Sequence, residues 1–394
     1  MQYRRFGRTE IQMPVFSCGG MRYQQAWKDI PPEEVPAKNQ KNLEATIRRA
    51  LDLGINHIET ARGYGSSEMQ LGWLLPKLPR EKMIVQTKVG PTKDPDEFEA
   101  TLEKSLAYLN LEYVDLFSMH GINDEEVLDW AIRDGGCIEV ARRFQKEGRI
   151  RHIGFSTHAR PNTIVKAIET DLFDYVNLHW YYIYQENGPA LEAATRHDMG
   201  VFIISPNDKG GMLYKPSEKL AELCAPLSPM AFNDLFCLMR PDIHTLSLGA
   251  SCPEDFDEHV ATLNRFDELA EAIPGIEKRL RAAAVEAVGE EWLDHMLDGV
   301  PHWDAIPGNV NLRVILRLWT LAKCFDLIEY GKLRYNLLGN AGHYFPGENA
   351  TKADLEAIRP RLRNSRFPEL IPTRIKETHE LLKGAEQKRL SESD

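Results

Sequence analysis

Short apolar runs of strand length recur along the first two-thirds of the chain: Val15–Cys18, Ile55–Glu59, Met83–Val89, Tyr113–His120, Ile150–Ser156, Tyr175–Trp180, Val201–Pro206 and Thr245–Ala250. Between them lie segments suited to helices, such as Asn42–Leu53, Asp96–Leu109, Ile138–Glu147, Pro161–Thr170 and Ala190–His197. Strand and helix therefore alternate from end to end. Eight such units within about 260 residues predict an α/β fold, a (β/α)8 TIM barrel. An open doubly wound sheet would carry a glycine-rich fingerprint after its first strand, and Ser17-Cys18-Gly19-Gly20-Met21 does not fit GxGxxG. Ahead of the first barrel strand, Gln2–Phe6 and Gln12–Phe16 flank Gly7-Arg8-Thr9-Glu10 and read as a small hairpin that could plug the N-terminal face.

Beyond Phe266 the strand pattern stops, and apolar residues recur at helical spacing through Ile276–Leu297, Asn311–Leu338, Ala353–Leu362 and Thr373–Leu382. The expected organisation is a barrel over residues 1–265 and an all-helical domain over 266–394. Charge narrows the range of partners: 48 Lys and Arg against 59 Asp and Glu leave a net charge of −11. An acidic surface repels phosphate backbones and anionic headgroups, so neither nucleic acid nor membrane is expected as a partner. The polar start MQYRRFGRTEIQMP and the lack of a span-length apolar run lead to the expectation of a cytoplasmic protein. The six cysteines form no CxxC pair, so no disulfide framework or zinc site is indicated.

The strand ends, where barrel chemistry sits, are unusually polar. The second strand closes on Glu59-Thr60-Ala61-Arg62-Gly63-Tyr64-Gly65, the third on Thr87-Lys88, the fourth on His120-Gly121, and the fifth on Ser156-Thr157-His158. Taken singly, each of these residues could be ordinary packing. Together a carboxylate, a phenol, an ammonium and an imidazole on one rim make an acid–base relay plausible, since a phenol is a poor acid near neutrality unless a cation favours its phenolate.

Here the sequence resembles the aldo-keto reductase family, whose FDTAxxYG motif the Glu59–Tyr64 segment is similar to, with Gly65-x-Ser67-Glu68 continuing it. The resemblance covers residues 1 to about 262. It implies reduction of a small-molecule carbonyl with NADP(H). Tyr64 would be the general acid, Lys88 would lower its pKa, His120 would orient the carbonyl, and Glu59 would anchor Lys88. Glu59 stands where the family has Asp. Ser156 and Asn177 would hold the nicotinamide carboxamide, Asn177 replacing the usual Gln; either amide donates and accepts. Ser205, Lys209 and Gly210 resemble the loop over the pyrophosphate, and Gly249 and Ser251 the adenosine end, with Ile204 where an aromatic commonly stacks. Trp27, His158 and Trp180 are candidate walls of the substrate pocket. The rival reading is a regulatory or scaffold barrel that binds NADP(H) with little turnover. No protein partner is specified.

The segments Tyr335–Gly347 and Ile371–Leu381 liken the chain to a subset of the family that carries a ferredoxin-like C-terminal domain. Laying the C-x2-C-x2-C-x3-C-P run on Phe367-Pro368 and on Ile306-Pro307 places its ligands at Ala357, Pro360, Arg363 and Phe367 and at Met296, Gly299, His302 and Ile306. None is Cys, so the resemblance implies a scaffold kept and clusters lost. Met296, Ile306, Ala357 and Phe367 are expected to fill the vacated volume.

Overall fold

The computed structural model describes residues 1–389. They form two compact units, one of residues 1–210 and 233–270, the other of 211–232 and 271 onward. The sequence-based boundary at 265/266 ignored the 211–232 segment, which only long-range contacts assign. Residues 390–394 of the expected helical domain lie outside the described residues.

The first unit is a closed parallel barrel. After a hairpin of β1 (Tyr3–Arg5) and β2 (Gln12–Pro14) come β3 (Phe16–Gly19), β4 (His57–Glu59), β5 (Ile84–Val89) and β6 (Val114–Met119). The circuit continues with β7 (Ile150–Ser156), β8 (Tyr175–Leu178), β9 (Gly200–Ile203) and β10 (Thr245–Leu248), and β10 pairs back onto β3. These strands coincide with the eight apolar runs, and the expected TIM barrel is what forms.

Side chains alternate across each strand, so every strand divides into an outward and an inward set. Val85, Val89, Phe117, Met119, Val176, Leu178, Val201 and Ile203 join one large core with residues of the surrounding helices. The inward set is layered. At the bottom Ile84, Leu116, Tyr175 and Phe202 pack with Phe6 and Met13 of the hairpin region, which thus stoppers the N-terminal face as the sequence suggested. Space there is tight: a Cβ on Gly154 would sit 2.6 Å from the Tyr175 ring. Above this layer lie buried polar groups. Ser17 Oγ meets His57 Nδ1 at 2.6 Å and Thr245 Oγ1 at 2.7 Å, while Gln86 Nε2 donates to Ser118 Oγ at 2.9 Å, which in turn meets Tyr175 Oη at 2.9 Å.

In the second unit the helix Leu312–Phe325 packs against Ile273–Val288, Ile328–Leu337 and Ile371–Leu382. Two expected continuous helices are each broken by a left-handed residue, at Gly289 (φ 84°) and at Asp326 (φ 55°). Trp292 and Trp319 meet edge to face at 5.6 Å, and the Arg374 guanidinium lies 4.1 Å from the Trp319 ring. The proposed cavity fillers behave unequally. Ile306 is buried, Met296 and Phe367 are half-buried, and Ala357 is exposed. Ala357 therefore fills no interior volume, because its short helix turns the neighbouring Ile358 inward instead. Among the described residues no helix is long and apolar enough to cross a membrane.

Candidate active site

The upper inward layer holds the titratable residues singled out from sequence. Glu59 ends β4, and Lys88 lies on β5 two residues beyond Gln86, the register partner of Glu59. Both side chains are buried and form an ion pair. Lys88 Nζ also donates to Thr60 O at 2.8 Å and lies 3.4 Å from Tyr64 Oη, which is itself 3.4 Å from Glu59 Oε1. Ser247 on β10 donates to the other Glu59 oxygen at 3.4 Å. Burial holds the Lys88 ammonium below its ordinary pKa, with Glu59 pulling the other way.

Tyr64 ends the short turn Arg62–Tyr64, half-buried at the mouth. The turn is held by Arg62, which pairs with Asp29 and, at 2.6 Å, with the buried Glu68, and donates to Gly65 O at 3.1 Å. Gly65 has φ 56°, and a Cβ there would lie 2.1 Å from Ala26 O, so only glycine lets the 26–28 loop pass so close to the tyrosine. Through that loop Trp27 meets the Tyr64 ring edge-on at 6.2 Å. His120, just past the end of β6, meets the Tyr64 ring at 5.8 Å, nearly perpendicular. The four residues expected to act together are thus gathered, with Trp27 beside them.

Ser156 and Asn177 are register partners on β7 and β8, both buried. Ser156 Oγ accepts from Gly121 N at 3.1 Å. Asn177 is fully buried, and neither its Oδ1 nor its Nδ2 has a hydrogen-bond partner in the protein. Leaving a buried amide unsatisfied costs about 1–3 kcal/mol per group, so Asn177 has both a donor and an acceptor to offer a polar ligand.

The remaining expected residues spread along the rim. Ser205 adopts φ 54°, and its carbonyl accepts from Lys209 N at 3.0 Å, closing the turn after β9 that reaches the buried Gly210. Lys209 Nζ lies 3.2 Å from His158 Nδ1. Asn207 of the same turn meets His259 Nε2 at 3.1 Å, and His259 is paired with the buried Asp234. Gly249 is exposed, and a Cβ on it would lie 3.3 Å from Arg22 Nε; Arg22 in turn pairs with Asp208 at 3.3 Å. Ser251 N and Oγ both donate to Asp255, at 2.7 and 2.8 Å. Trp180 is buried, its ring stacked on Phe236 at 5.0 Å with Arg240 at 5.0 Å from it.

Sequence reasoning passed over Arg62, Glu68, Ser247, Arg22 and His179. For His179 the signal was present: Ser156-x-His158 and Asn177-x-His179 repeat one spacing at adjacent strand ends. With Ser156 and Asn177 in register, that spacing brings the two imidazoles together.

Residues 16–274 match the profile of the Aldo/keto reductase family. Among curated proteins, the chain is similar to aldo-keto reductase family 1 member A1 of Cricetulus griseus, 40% identical over 120 residues, covering 28% of this chain and 32% of that one. It is also similar to L-glyceraldehyde 3-phosphate reductase of Escherichia coli (strain K12), 28% identical over 185 residues, 43% and 49% of the two chains. The chain thus spans between about a third and a half of the length of the curated relatives it matches. In fold it resembles the holo form of an aldo-keto reductase from Bacillus halodurans, with a TM-score of 0.58 at 20% identity over 70% of this chain and 96% of that one. With the profile matched over the whole barrel circuit from β3 to β10, the chain belongs to the aldo/keto reductase family.

Proposed function

We propose that the protein is an NADP(H)-dependent reductase that converts an aldehyde or ketone to an alcohol, with Tyr64 as the general acid. The observation that carries this reading is the Tyr64 hydroxyl at the barrel mouth, 3.4 Å from both Lys88 Nζ and Glu59 Oε1. A phenol gives up a proton when a cation stabilises the phenolate left behind, and Lys88 is buried, where its charge acts with little screening. Glu59 reaches Lys88 despite its extra methylene, so the longer carboxylate keeps the anchoring role. His120, edge-on to Tyr64, is suited to donate to the same carbonyl oxygen and fix its direction. Tyr64 then passes its proton to that oxygen as the carbonyl carbon is reduced.

The polar lining fits a nicotinamide. When bound, the reduced cofactor supplies the hydride for the carbonyl carbon. Asn177 can donate to and accept from its carboxamide while Ser156 contributes its hydroxyl, and these two residues would set which ring face meets the substrate. Ser205 and Gly210 belong to the turn that would cross the pyrophosphate, with Gly249 and Ser251 toward the adenosine; Arg22, against Gly249, is a cation at that end on which a 2′-phosphate preference would rest. Trp27 and His158 would border the substrate, which is a small molecule, and the setting would be cytoplasmic. The helical segment from about residue 266 is read as the ferredoxin-like subset's scaffold without its clusters, since Cys324 is its sole cysteine.

The test is the loss of nicotinamide absorbance when protein, NADPH and a panel of aldehydes are mixed. Turnover abolished by Tyr64→Phe is expected. Tight NADPH binding without turnover on any carbonyl would replace this reading with a nucleotide-binding regulatory barrel.

A further inference from the structure

Opposite the Tyr64–Lys88–His120 group on the rim, three nitrogen bases meet at the ends of β7, β8 and β9. His158 Nδ1 and His179 Nε2 are 2.8 Å apart, and Lys209 Nζ lies 3.2 Å from the first and 3.3 Å from the second. The two rings are 4.5 Å apart, centre to centre. His179 is buried, whereas His158 and Lys209 are half-buried and so reachable from the mouth.

The proton positions follow from the neighbours. His179 Nδ1 faces Ile204 O at 3.2 Å. The Tyr181 hydroxyl also lies 3.3 Å from Nδ1; a hydrogen on Nδ1 satisfies the carbonyl, which only accepts, and leaves the Nε2 lone pair toward His158. In that tautomer His158 Nδ1, at 2.8 Å from the lone pair, donates to it. Lys209 also has only donors to offer. Within the trio, an ammonium and an imidazole N–H therefore converge on a single acceptor. An anionic oxygen entering between them would accept from both, and its charge would favour a proton on His179 Nε2 as a third donor.

We infer that His158, His179 and Lys209 form a binding site for an anionic group, a carboxylate or phosphate, carried by the carbonyl substrate. That the anion belongs to the substrate rests on the reductase reading above. Its position favours the substrate over the cofactor's own phosphates. His158 and His179 lie two residues beyond Ser156 and Asn177, about 7 Å of extended chain, and those two are the residues suited to the uncharged carboxamide end. Lys209, expected from sequence over the pyrophosphate, brings its ammonium within 3.3 Å of both imidazoles. The substrate class is thus a short aldehyde or ketone with a carboxylate or phosphate at its far end.

Two measurements on the full chain test this. In the first, kcat/KM is compared for matched pairs, succinic semialdehyde against butanal and glycolaldehyde phosphate against glycolaldehyde. The wild type should prefer the anionic member, and Lys209→Gln should cut that preference about tenfold or more, the usual weight of a charge-assisted contact, with Lys209→Arg restoring it. A preference unchanged in Lys209→Gln, or an NADPH dissociation constant that weakens as much as the preference falls, would overturn the assignment, the latter handing the site to the cofactor. In the second, the His158 and His179 ring resonances, assigned with His158→Gln and His179→Gln, are followed by NMR while inorganic phosphate or succinate is added. Saturable shifts are expected, and their absence overturns the site. Saturable shifts without turnover on any carbonyl would uphold the anion site and remove the reductase reading.

Discussion

Replacing the Tyr64 hydroxyl is the most direct probe at the residue scale. Tyr64→Phe keeps the ring between Trp27 and His120 but removes the proton, so kcat should fall about 100-fold or more, the ordinary weight of general acid catalysis, while NADPH affinity, measured by fluorescence titration, should hardly move. Glu59 carries a different kind of burden. Glu59→Ala would strand a buried ammonium, and removing one partner of a buried pair costs about 3–5 kcal/mol, so the urea midpoint and the rate should drop together. Glu59→Asp should preserve the midpoint better than Glu59→Ala; equal losses would mean that the carboxylate does not hold Lys88. The alternation of side chains made much of this legible, since Glu59, Lys88, His120, Ser156 and Asn177 all fall at strand ends. The partners that fix them were not. Arg62 pairs with Glu68 six positions on, Ser247 reaches Glu59 across the closure between β10 and β3, and no local pattern announces either.

The turn that carries Tyr64 depends, at the scale of elements, on a loop passing within touching distance. Gly65→Ala would demand a strained positive φ and push against the Ala26 carbonyl. The 26–28 loop and Tyr64 should both shift, lowering kcat/KM well beyond any change in melting temperature. Wild-type kinetics in that variant would show that the turn tolerates displacement. The eight strands were readable because each is bounded by turn residues and richly apolar. The helices after Phe266 were readable in kind but not in length, since Gly289 and Asp326 interrupt a continuous apolar periodicity by backbone conformation. In that segment Phe367 rests against Trp292 at 5.2 Å. Half-buried, it should lose about 1–2 kcal/mol as Phe367→Ser, below the 3–5 of a fully buried aromatic, read as a modest shift of the helical unit's unfolding midpoint.

Acid should weaken the molecule as a whole through histidines it keeps neutral. Burial, with Lys88 adding to it, pushes His57 down to about 3, and burial with Arg4 pushes His244 down to about 4. An unfolded histidine takes a proton near pH 6.5, so below that value the unfolded chain gains what the folded barrel refuses. This contribution to stability is fully present above pH 6.5 and declines as pH falls toward 4, by about 1.4 kcal/mol per pH unit for each histidine. The urea midpoint of His57→Asn should accordingly vary less between pH 6.5 and 4.5 than that of the wild type; parallel profiles would mean that His57 is protonated in the fold. The assignment of residues 211–232 to the helical unit was beyond sequence reading, because only contacts far apart along the chain decide it.

With Phe6 and Met13 packed beneath Ile84, Leu116, Tyr175 and Phe202, the barrel is a cup with a solid floor. A cup has one opening, and on the proposed reading the proton that Tyr64 would surrender returns through the same doorway by which the carbonyl would enter and the alcohol leave. Recharging and product release would then compete for that passage, so a substrate that clings to the mouth would delay the next proton as well as the next molecule. Phe6→Ala would leave the layer of Ile84, Leu116, Tyr175 and Phe202 in place, so it should lower the barrel's stability without opening a second way in.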